Sequence, residues 1–509
     1  MTAIVPVSAH QAAPWSLRPL AASSPSLRTK IAATTKSSRS PLIREVVRTC
    51  SESFARRKKA AFNFRAMLAM NSNTKDFDMI KEPGMERAEL TPEQPEKKTT
   101  TPCCLFCTAP LRRTFIDLGM SPLCESYVAA DELNQMEPFY PLHVRVCEKC
   151  YLVQLDQYVS PEHIFTEYAY FSSYSDSWLR HSSNYVDTIS QRLTLDARSL
   201  AVELASNDGY LLQYFLKKGI PALGVEPAAN VAKVAECKGV PTLVKFFGRQ
   251  TAHDMVAAGQ AADLVIGNNV LAQVPDINDF VGGIRILLKP SGVATLEFPH
   301  LVRLMQENQY DTIYHEHFFY FSLISVEKIF AAHGLVLFDV DEIPTHGGSI
   351  RIYLRHAGDL SKPVTQSVLT LRAHELSIGL DRMETYENFA EQVIESKRAL
   401  LELLIRLRRA GKRVAGYGAP GKGNTLLNYC GIRTDFLAFT VDRNPYKHGR
   451  FLPGTHIPIF PVERINERRP DYIFILPWNL KTEIVAQLLY ARDWGATFIV
   501  PIPTAQILD

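Results

Sequence analysis

Long apolar runs are missing from this sequence, and acidic residues are scarce in its first part. No stretch of about 18 consecutive apolar residues occurs, which predicts that the chain does not span a membrane. Residues 1–70 contain 12 Lys or Arg but only two acids, a net charge of +10. Because the whole chain carries +3, the remaining residues carry −7, and a net-acidic body argues against nucleic acid as a partner.

The length of 509 residues is too great for a single core and predicts several domains. Residues 1–70, which are rich in Ser, Ala and Arg, are typical of a mitochondrial or plastid transit peptide. A disordered basic tail and a start codon assigned too early are the alternatives. The following segment, 71–102, is polar and contains proline, which is typical of a linker. We therefore predict a targeting or disordered extension and linker over 1–100. If the extension is not a transit peptide, we expect the protein in the cytoplasm.

Nine cysteines are present, an odd number, and they cluster between residues 103 and 150, which favours metal binding over a disulfide framework. Cys104 with Cys107 and Cys147 with Cys150 form two C-x-x-C pairs, the spacing that presents two thiolates to one tetrahedral ion. We therefore predict a zinc-binding domain over 101–160. Four protein ligands leave no open position, so the zinc would be structural. Cys103 could replace Cys104 in the site, and unrelated buried or redox cysteines are the simpler alternative.

Strand and helix patterns alternate between residues 161 and 357, which predicts a parallel, doubly wound sheet. A Gly-containing turn follows the first strand, and an acid ends the second strand, where it could accept hydrogen bonds from ribose hydroxyls. The turn is no full G-x-G-x-x-G, so a nucleoside cofactor without phosphates, such as S-adenosylmethionine, fits better than a dinucleotide. The candidate cofactor-binding residues here are Glu203, Ser206, Asn207, Asp208, Gly209 and Glu226.

Two further strands, 334–339 and 349–354, are joined through His346-Gly-Gly and should pair antiparallel, as at the edge of a seven-stranded methyltransferase sheet. The aromatic stretch that contains Tyr168 indicates packing, or a pocket lined by hydroxyl groups. Residues 358–410 carry the apolar spacing of connecting helices.

A second α/β unit is predicted over 411–509, where Gly416–Gly421 matches G-x-G-x-x-G between a strand and a helix. Such a turn and the helix N-terminus form an anion site. Lys422 would add a positive charge for a pyrophosphate, with Gly418 and Asn424 beside it. Asp442, at the end of the next strand, would complete a dinucleotide site.

Tyr314-His-Glu-His317 lies between the two predicted nucleotide-binding units. An imidazole titrates near neutral pH and suits proton abstraction, so we expect this tetrapeptide to supply the base of a reaction between the two bound substrates. Hydrolytic zinc motifs place two histidines four residues apart on a helix. The His315-x-His317 spacing differs from that pattern, and a metal site here is the weaker alternative.

Several motifs in the same order resemble the three-domain sugar C-methyltransferases of deoxysugar biosynthesis, from about Cys104 to the C-terminus. These motifs are the two C-x-x-C pairs, Glu203-Leu-Ala-Ser-Asn-Asp-Gly209, Asn268-Asn-Val-Leu-Ala, Tyr314-His-Glu-His317, His346-Gly-Gly-Ser349 and Gly418-Ala-Pro-Gly-Lys-Gly-Asn-Thr425. Members of the family join a Cys₄ zinc domain, an S-adenosylmethionine domain and a C-terminal Rossmann-like domain.

The resemblance implies methylation of a carbon next to a ketone in a nucleotide-linked deoxysugar. It places the role of the base on His317, the last His of Tyr-His-Glu-His, with Tyr314 and Glu316 assisting or orienting it. It also implies that Asn268 and Asn269 contact the cofactor and that His346 contacts the substrate. Gln273 stands where the family has an active-site histidine, a difference that bears on which sugar is accepted.

Two other functions remain open from the sequence. One is an NAD(P)-dependent oxidoreductase that uses the C-terminal G-x-G-x-x-G, and the other is a zinc-containing scaffold without activity. We expect a small-molecule partner and a monomer or small homo-oligomer.

Overall fold

The computed structural model of the chain describes residues 101–159 and 171–508. The predicted extension over 1–100 and Tyr168 lie outside the described residues. Within the described ranges, no helix is long and apolar enough to cross a membrane.

The strands of the described part are numbered in chain order. They are β1 Arg113–Ser121, β2 Tyr140–Val146, β3 Val153–Leu155, β4 Ala201–Leu204, β5 Ala222–Val225, β6 Thr242–Leu243, β7 Ala262–Asn268, β8 Leu288–Pro299, β9 Phe319–Tyr320, β10 Leu335–Ile343, β11 Ser349–His356, β12 Val414–Tyr417, β13 Leu437–Val441, β14 Ile459–Phe460, β15 Tyr472–Ile475, β16 Thr497–Val500 and β17 Gln506–Leu508.

The α-helices are numbered in the same way. They are α1 Asp176–Arg192, α2 Leu212–Lys217, α3 Ala229–Cys237, α4 Arg249–Ala257, α5 Ile277–Leu287, α6 Leu301–Gln306, α7 Leu323–Ala332, α8 Gln366–Ser377, α9 Met383–Glu387, α10 Phe389–Arg409, α11 Gly421–Cys430, α12 Arg464–Arg468 and α13 Lys481–Gln487. Short 3₁₀ turns cover Leu271–Gln273, Tyr310–Thr312, Thr345–Gly347 and Trp478–Leu480, among others.

The first sheet of the described chain is antiparallel and has four strands. Its strand order is β1-β2-β3-β9. Val144 and Val146 of β2 and Val153 of β3 are fully buried, as alternation on a half-buried sheet requires. The fourth strand, β9, comes from a distant part of the chain, so this sheet is completed by residues far outside the predicted zinc-binding domain.

A seven-stranded sheet forms the middle of the molecule, with the order β10-β11-β8-β7-β4-β5-β6. The strands from β8 to β6 are parallel, and β11 runs antiparallel to both β8 and β10. All four residues of β4 are buried, because helices cover both faces of a parallel sheet. The predicted doubly wound sheet with a closing antiparallel pair is confirmed.

The C-terminal sheet has six strands in the order β14-β13-β12-β15-β16-β17. Its first five strands are parallel, and β17 pairs antiparallel with β16. Helix α11 follows β12 directly after the glycine-rich turn. The predicted second Rossmann-like unit is therefore present, and the α/β fold class is confirmed.

Helices α8, α9 and α10 occupy the stretch predicted to be connecting helices. Helix α10 buries Leu400, Leu403, Leu404 and Leu407 on one face. These leucines share a hydrophobic core with Phe115 of β1 and with the C-terminal sheet. The exact domain boundaries stay predictions.

Residues 310–321, here called the central segment, touch all three sheets. Its strand β9 pairs with β3, and Phe321 bridges to His300, which follows β8. The Thr425 hydroxyl of α11 donates to the Ile313 carbonyl at 3.0 Å. The tetrapeptide Tyr314–His317 lies within this segment, so the fold brings it to the meeting point of the three sheets.

Candidate active site

Two matching turns carry the four paired cysteines. The fourth residue after the first cysteine of each pair, Thr108 or Tyr151, has a positive φ of 60° or 63°. The N–H of that residue donates to the carbonyl of Cys104 or Cys147, at 2.9 Å in both turns. Equal spacing in the sequence thus produces two equal knuckles that face each other.

The four sulfur atoms fit a tetrahedral zinc ion. The ligand atoms of Cys104, Cys107, Cys147 and Cys150 all lie within 4.8 Å of one another. Between the two knuckles, the sulfur atoms of Cys104 and Cys150 are 3.6 Å apart, and those of Cys107 and Cys147 are 3.5 Å apart. A Zn–S bond of about 2.3 Å requires edges of about 3.8 Å, close to these values. Cys103 is exposed with its Sγ 3.8 Å from the Thr101 carbonyl, so Cys104 rather than Cys103 is the ligand.

The turn after β4 has the strained backbone of a ligand-binding loop. Ala205, Asn207 and Gly209 have φ values of 56°, 49° and 74°. A Cβ on Gly209 would lie 2.9 Å from Val240, and one on Gly224 would lie 2.3 Å from the Ser206 hydroxyl. Both positions therefore require glycine, and the turn rests directly against the next strand of the sheet.

Side chains hold this turn from two sides. The Glu226 carboxylate, at the end of β5, accepts the N–H groups of Asn207 and Ala228, both at 2.9 Å. Asp208 forms an ion pair of 3.0 Å with Lys238. Glu226 was predicted to accept ribose hydroxyls, and its two oxygens retain lone pairs for that purpose after one N–H each.

Unpaired polar atoms lie where a nucleoside cofactor would sit. Within the described residues, Ser206 Oγ, Asp208 Oδ1 and Asn269 Oδ1 are buried without a hydrogen-bond partner. Buried polar atoms normally find partners, so three orphans at the carboxyl ends of parallel strands fit a polar ligand at this edge. Glu203, at the same edge, is fully buried, and burial raises the pKa of its carboxyl well above the usual range.

The two asparagines predicted to contact the cofactor follow each other at the end of β7. Asn269 has a φ of 55° and donates through its side-chain amide to His346 Nε2 at 3.0 Å. The Trp178 ring packs 5.2 Å from the His346 ring. The predicted cofactor residue Asn269 and the predicted substrate residue His346 are thus in direct contact, and Asn268 precedes them in the same turn.

The four side chains of Tyr314–His317 do not all point the same way. The rings of Tyr314 and His317 lie together, with centroids 4.1 Å apart. His315 Nε2 pairs with the Pro141 carbonyl of β2 at 3.1 Å. Glu316 accepts from the Cys124 thiol at 3.5 Å. Tyr314 and His317 therefore form one group, whereas His315 and Glu316 anchor the segment to the region of the four-stranded sheet.

This arrangement does not suit the alternative of a metal bound by His315 and His317. Their rings have separate partners, and within the described residues the four cysteines are the single metal-type cluster.

His317 has the orientation of a proton acceptor. Its Nδ1 lies 3.1 Å from the Thr312 carbonyl, and a carbonyl can only accept, so Nδ1 carries the hydrogen and Nε2 has the free lone pair. Burial, with smaller contributions from the charges of His346 and Lys422, lowers the pKa of His317 to about 4. The imidazole is therefore neutral at physiological pH.

Glu316 has a different environment. Burial and the neighbouring Glu125 together raise the pKa of its carboxyl to about 8. The carboxyl of Glu316 is therefore mostly protonated near neutral pH, and it contacts Cys124 rather than His317. Glu316 could therefore assist His317 only by holding the central segment in place.

The glycine-rich turn of the C-terminal sheet is packed against the chain's own groups. Ala419 N–H donates to Asp442 at 2.7 Å, and the Ala419 carbonyl accepts from Tyr127 and Lys447 at 2.7 and 2.8 Å. A Cβ on Gly418 would lie 2.6 Å from Pro477, and one on Gly421 would lie 2.8 Å from the Cys124 sulfur. The N–H and the carbonyl of Ala419, in the turn predicted to cradle a pyrophosphate, therefore already have protein partners.

Lys422 extends from this turn toward the central segment. Its ammonium group donates to Asn479 Oδ1 at 3.1 Å and lies 4.6 Å from the centre of the Trp478 ring. Trp478 Nε1 donates to Asp311 Oδ2 at 2.7 Å. Burial raises the pKa of Asp311 to about 6, an effect that Lys422 opposes. Lys422 thus contacts Trp478 and Asn479, and Trp478 connects it to Asp311 of the central segment.

The remaining predicted substrate residues are less clearly defined. Asn424 is buried in the first turn of α11, and its side-chain nitrogen has no partner among the described residues. Gln273 is half-buried in the 3₁₀ turn after β7, two residues before Pro275.

Sequence reasoning missed Trp478 and Asp311, and also a polar group around Glu297 on β8. Glu297 accepts from His181 at 2.9 Å, from Arg351 at 2.6 Å and from Thr345, which precedes His346, at 2.9 Å. Burial acts to raise the pKa of Glu297, but these hydrogen bonds hold it below the usual value. The sequence offered one signal for this group, because Glu297 is an acid near the end of a buried strand.

Three family models match successive parts of the chain. A putative zinc binding domain matches residues 104–165, a methyltransferase domain matches 178–340, and a C-methyltransferase C-terminal domain matches 344–503. Together with the cysteine cluster, the seven-stranded sheet and its ligand edge, they confirm the predicted cofactors, S-adenosylmethionine and zinc, and the predicted methyltransferase activity. The oxidoreductase and scaffold alternatives are therefore not supported.

Single proteins and solved structures are also similar to this chain. A S-adenosylmethionine-dependent methyltransferase from Clostridium acetobutylicum is 12% identical and covers 35% of this chain and 92% of its own, with a TM-score of 0.29. Magnesium protoporphyrin IX methyltransferase from Synechocystis with bound SAM is 14% identical and covers 35% of this chain and 81% of its own, with a TM-score of 0.27.

A much stronger match is the C-methyltransferase NovU from Streptomyces niveus, which is 36% identical over 394 residues. The match covers 77% of this chain and 94% of NovU, and thus includes all three parts that the family models recognise. The chain belongs to the family of zinc-containing, S-adenosylmethionine-dependent C-methyltransferases.

Proposed function

We propose that this enzyme methylates a carbon next to a ketone in a nucleotide-linked deoxysugar, with His317 as the base. A proton on such a carbon is too weakly acidic to leave without help, so a base must lie within hydrogen-bond reach of it. The proposal rests on C-methyltransferase family membership and on the position of the central segment, which contacts both the seven-stranded sheet and helix α11 of the C-terminal unit. We expect the substrate cleft at this meeting point.

One observation carries the proposal, which is the orientation of His317. The Thr312 carbonyl fixes the hydrogen on Nδ1, and the Tyr314 ring, tilted by 34° with its centroid 4.1 Å away, restricts the imidazole, so Nε2 presents its lone pair in a defined direction. The low pKa keeps Nε2 unprotonated at neutral pH. A base of this kind is weak, and it therefore needs help to stabilise the enolate that it forms.

The reacting carbon would lie between the base and the edge of the seven-stranded sheet. S-Adenosylmethionine, when bound there, supplies an electrophilic methyl group to that carbon. We assign the binding of this cofactor to Glu203, Ser206, Asn207, Asp208, Gly209, Glu226, Asn268 and Asn269. The contact of Asn269 with His346 would link the cofactor side of the cleft to the acceptor.

The acceptor would contact residues from both sides of the cleft. We assign this role to Gln273, His346, Gly418, Lys422 and Asn424, and Tyr168 stays a prediction from the sequence. The unpaired side-chain nitrogen of Asn424 supports a polar ligand in this region. The identity of the residue at 273 would then select among sugars.

The test is a reaction with labelled S-adenosylmethionine and a panel of nucleotide-linked keto sugars, followed by mass spectrometry. We expect one added methyl group on a single keto sugar and, in deuterated water without the methyl donor, exchange of hydrogen at the same carbon. The His317→Gln variant should lose exchange and methylation by about 10²–10⁴-fold, the usual contribution of a positioned base.

The exposed His374 provides a matched control, because His374→Gln makes the same chemical change on the surface of α8. It should retain the parent rates. Exchange at the parent rate in His317→Gln would show that another group is the base. If no keto sugar in the panel gained a methyl group, the acceptor class itself would be wrong.

A further inference from the structure

Lys422 has a position that its place in the glycine-rich motif does not explain. A lysine that follows such a turn usually helps to bind phosphate. In this chain the turn is already occupied: Ala419 is bonded to Asp442, Tyr127 and Lys447, and Cys124 fills the space next to Gly421. The ammonium group instead lies over the Trp478 ring, on the side of the central segment.

The charge of Lys422 is left largely uncompensated. An ammonium group has three donors, and Asn479 accepts one of them. Among the residues that the structure describes, no carboxylate lies within 4.0 Å of Lys422 in an ion pair. The nearest acid in electrostatic terms is Asp311, and its Oδ2 is bonded to the Trp478 indole. Trp478 thus separates the cation from the anion.

Trp478 and Asp311 connect the Lys422 cation to the central segment, which carries the proposed base. The charge of Lys422 also contributes to lowering the pKa of both His317 and His346. Trp478 makes the physical link. Its ring fills the space beside Gly347, next to His346, and its N–H holds Asp311, one residue before the Thr312 carbonyl that orients His317.

We infer that Lys422 is a catalytic residue whose ammonium group holds the acceptor oxygen that becomes negative when His317 removes the proton. The inference rests on the proposed function. In this step the C–H electron pair moves into the carbon–carbon bond of the enolate, the proton moves to His317 Nε2, and the carbonyl electrons move to the oxygen. A cation placed in advance at that oxygen offsets the weakness of the base.

The same position would explain why Lys422 is held by an aromatic ring and an amide rather than by a carboxylate. A salt bridge would neutralise the cation before the reaction. Contacts with Trp478 and Asn479 fix its direction without pairing it with an anion. Burial lowers the pKa of the ammonium group, and Asp311 opposes that effect.

Three variants test this role. Lys422→Met removes the charge and keeps the length, Lys422→Arg restores a charge, and Lys412→Met makes the same change at an exposed lysine before β12. Each is assayed with full-length, zinc-loaded enzyme for hydrogen exchange at the acceptor carbon without methyl donor, for kcat and KM of methylation, and for binding of S-adenosylmethionine by calorimetry.

For Lys422→Met we expect exchange and kcat to fall by about 10²–10³-fold, the usual effect of removing one oxyanion donor, with KM within about threefold of the parent. Lys422→Arg should recover part of the loss, and Lys412→Met should match the parent. Binding of S-adenosylmethionine should be unchanged in all three, which would also show that they are folded.

Two results would overturn the inference. A higher KM with unchanged kcat and exchange in Lys422→Met would mean that Lys422 only binds the acceptor, for example through its phosphates. Parent-like behaviour of the variant would mean that it has no part in the reaction. If the parent enzyme itself neither exchanged nor methylated any keto sugar, the proposed function would fail as well, so the two failures are distinguishable.

Discussion

His317, the proposed base, is held in its neutral form at the expense of its strength as a base. Burial, His346 and Lys422 all favour its neutral form. The Thr312 carbonyl fixes its tautomer. A free imidazole with a pKa of about 6.5 would be partly protonated at neutral pH, whereas this one is always ready to accept.

We predict that the His317 ring titrates near pH 4 in the free enzyme. Because the folded pKa lies below that of a free imidazole, the neutral form persists as the pH falls and is lost only close to pH 4. Lys422→Met removes one of the depressing charges and should move the titration to higher pH. Nuclear magnetic resonance of labelled histidine rings, with His317→Gln to assign the signal, measures both values.

Lys412→Met serves as the control, since an exposed lysine remote from the ring should leave the titration where it is. A His317 signal that titrates near 6.5 in the parent enzyme would contradict the burial of the His317 ring. A signal that does not respond to Lys422→Met would contradict the proximity of the cation.

At the scale of elements, local patterns in the sequence were reliable where the element itself is local. The two C-x-x-C knuckles, the turn after β4 and the antiparallel pair β10–β11 follow from spacing that a few neighbouring residues determine. Alternating strands and helices predicted both parallel sheets for the same reason.

Pairings between distant residues could not be predicted. Nothing in Phe319–Tyr320 indicates that this short strand joins β3 of the four-stranded sheet. The contact of Cys124 with Glu316 and the filling of the glycine-rich turn by Cys124 and Tyr127 join residues about 190 to 290 positions apart. Such contacts depend on the packed structure as a whole, whereas a motif records only its own neighbours.

The glycine-rich turn offers a test of this packing. We predict that Gly421→Ala lowers the stability by about 1–3 kcal/mol, because its Cβ would lie 2.8 Å from the buried Cys124 sulfur in a region without free space. Cys124→Ala removes the obstructing atom. Combined with Gly421→Ala it should recover part of the loss, so the double-mutant cycle should show a coupling of about 1 kcal/mol.

Melting temperatures of the zinc-loaded protein measure the effect. Gly358→Ala is the matched control, since Gly358 is exposed and a Cβ there would meet nothing within 4 Å. If Gly421→Ala melted like the parent, the turn would be open, and a phosphate site at Gly418–Lys422 would regain its support.

At the scale of the whole molecule, the zinc knuckles are part of the methyltransferase core. Cys104 and Cys147 share a hydrophobic cluster with Phe280 and Ile284 of α5. Asn278 of the same helix donates to the carbonyls of Leu105 and Phe106, both at 3.1 Å. The sheet that follows the first knuckle receives β9 from the central segment, and His315 of that segment bonds to β2. The knuckles are therefore connected through protein contacts to the central segment, which carries the proposed base.

We predict that the enzyme holds about one zinc ion per chain and that the ion can be exchanged without changing the chemistry. Four thiolates fill the tetrahedral coordination sphere, so no position remains for a water or a substrate. Removal of zinc should lower the melting temperature and abolish both exchange and methylation, since metal binding energy is folding energy in such sites. Cd²⁺, which also favours four thiolates, should restore the structure and the activity together.

Cys103→Ser and Cys104→Ser form a matched pair for this test, because the two cysteines are adjacent but only the second lies in the cluster. Cys103→Ser should keep its zinc and its activity, and Cys104→Ser should lose metal and activity in the same proportion. A Cd²⁺-loaded enzyme that is folded but inactive would mean that the ion takes part in the reaction. A metal-free enzyme with the parent melting temperature and activity would mean that the knuckles hold the central segment without any ion.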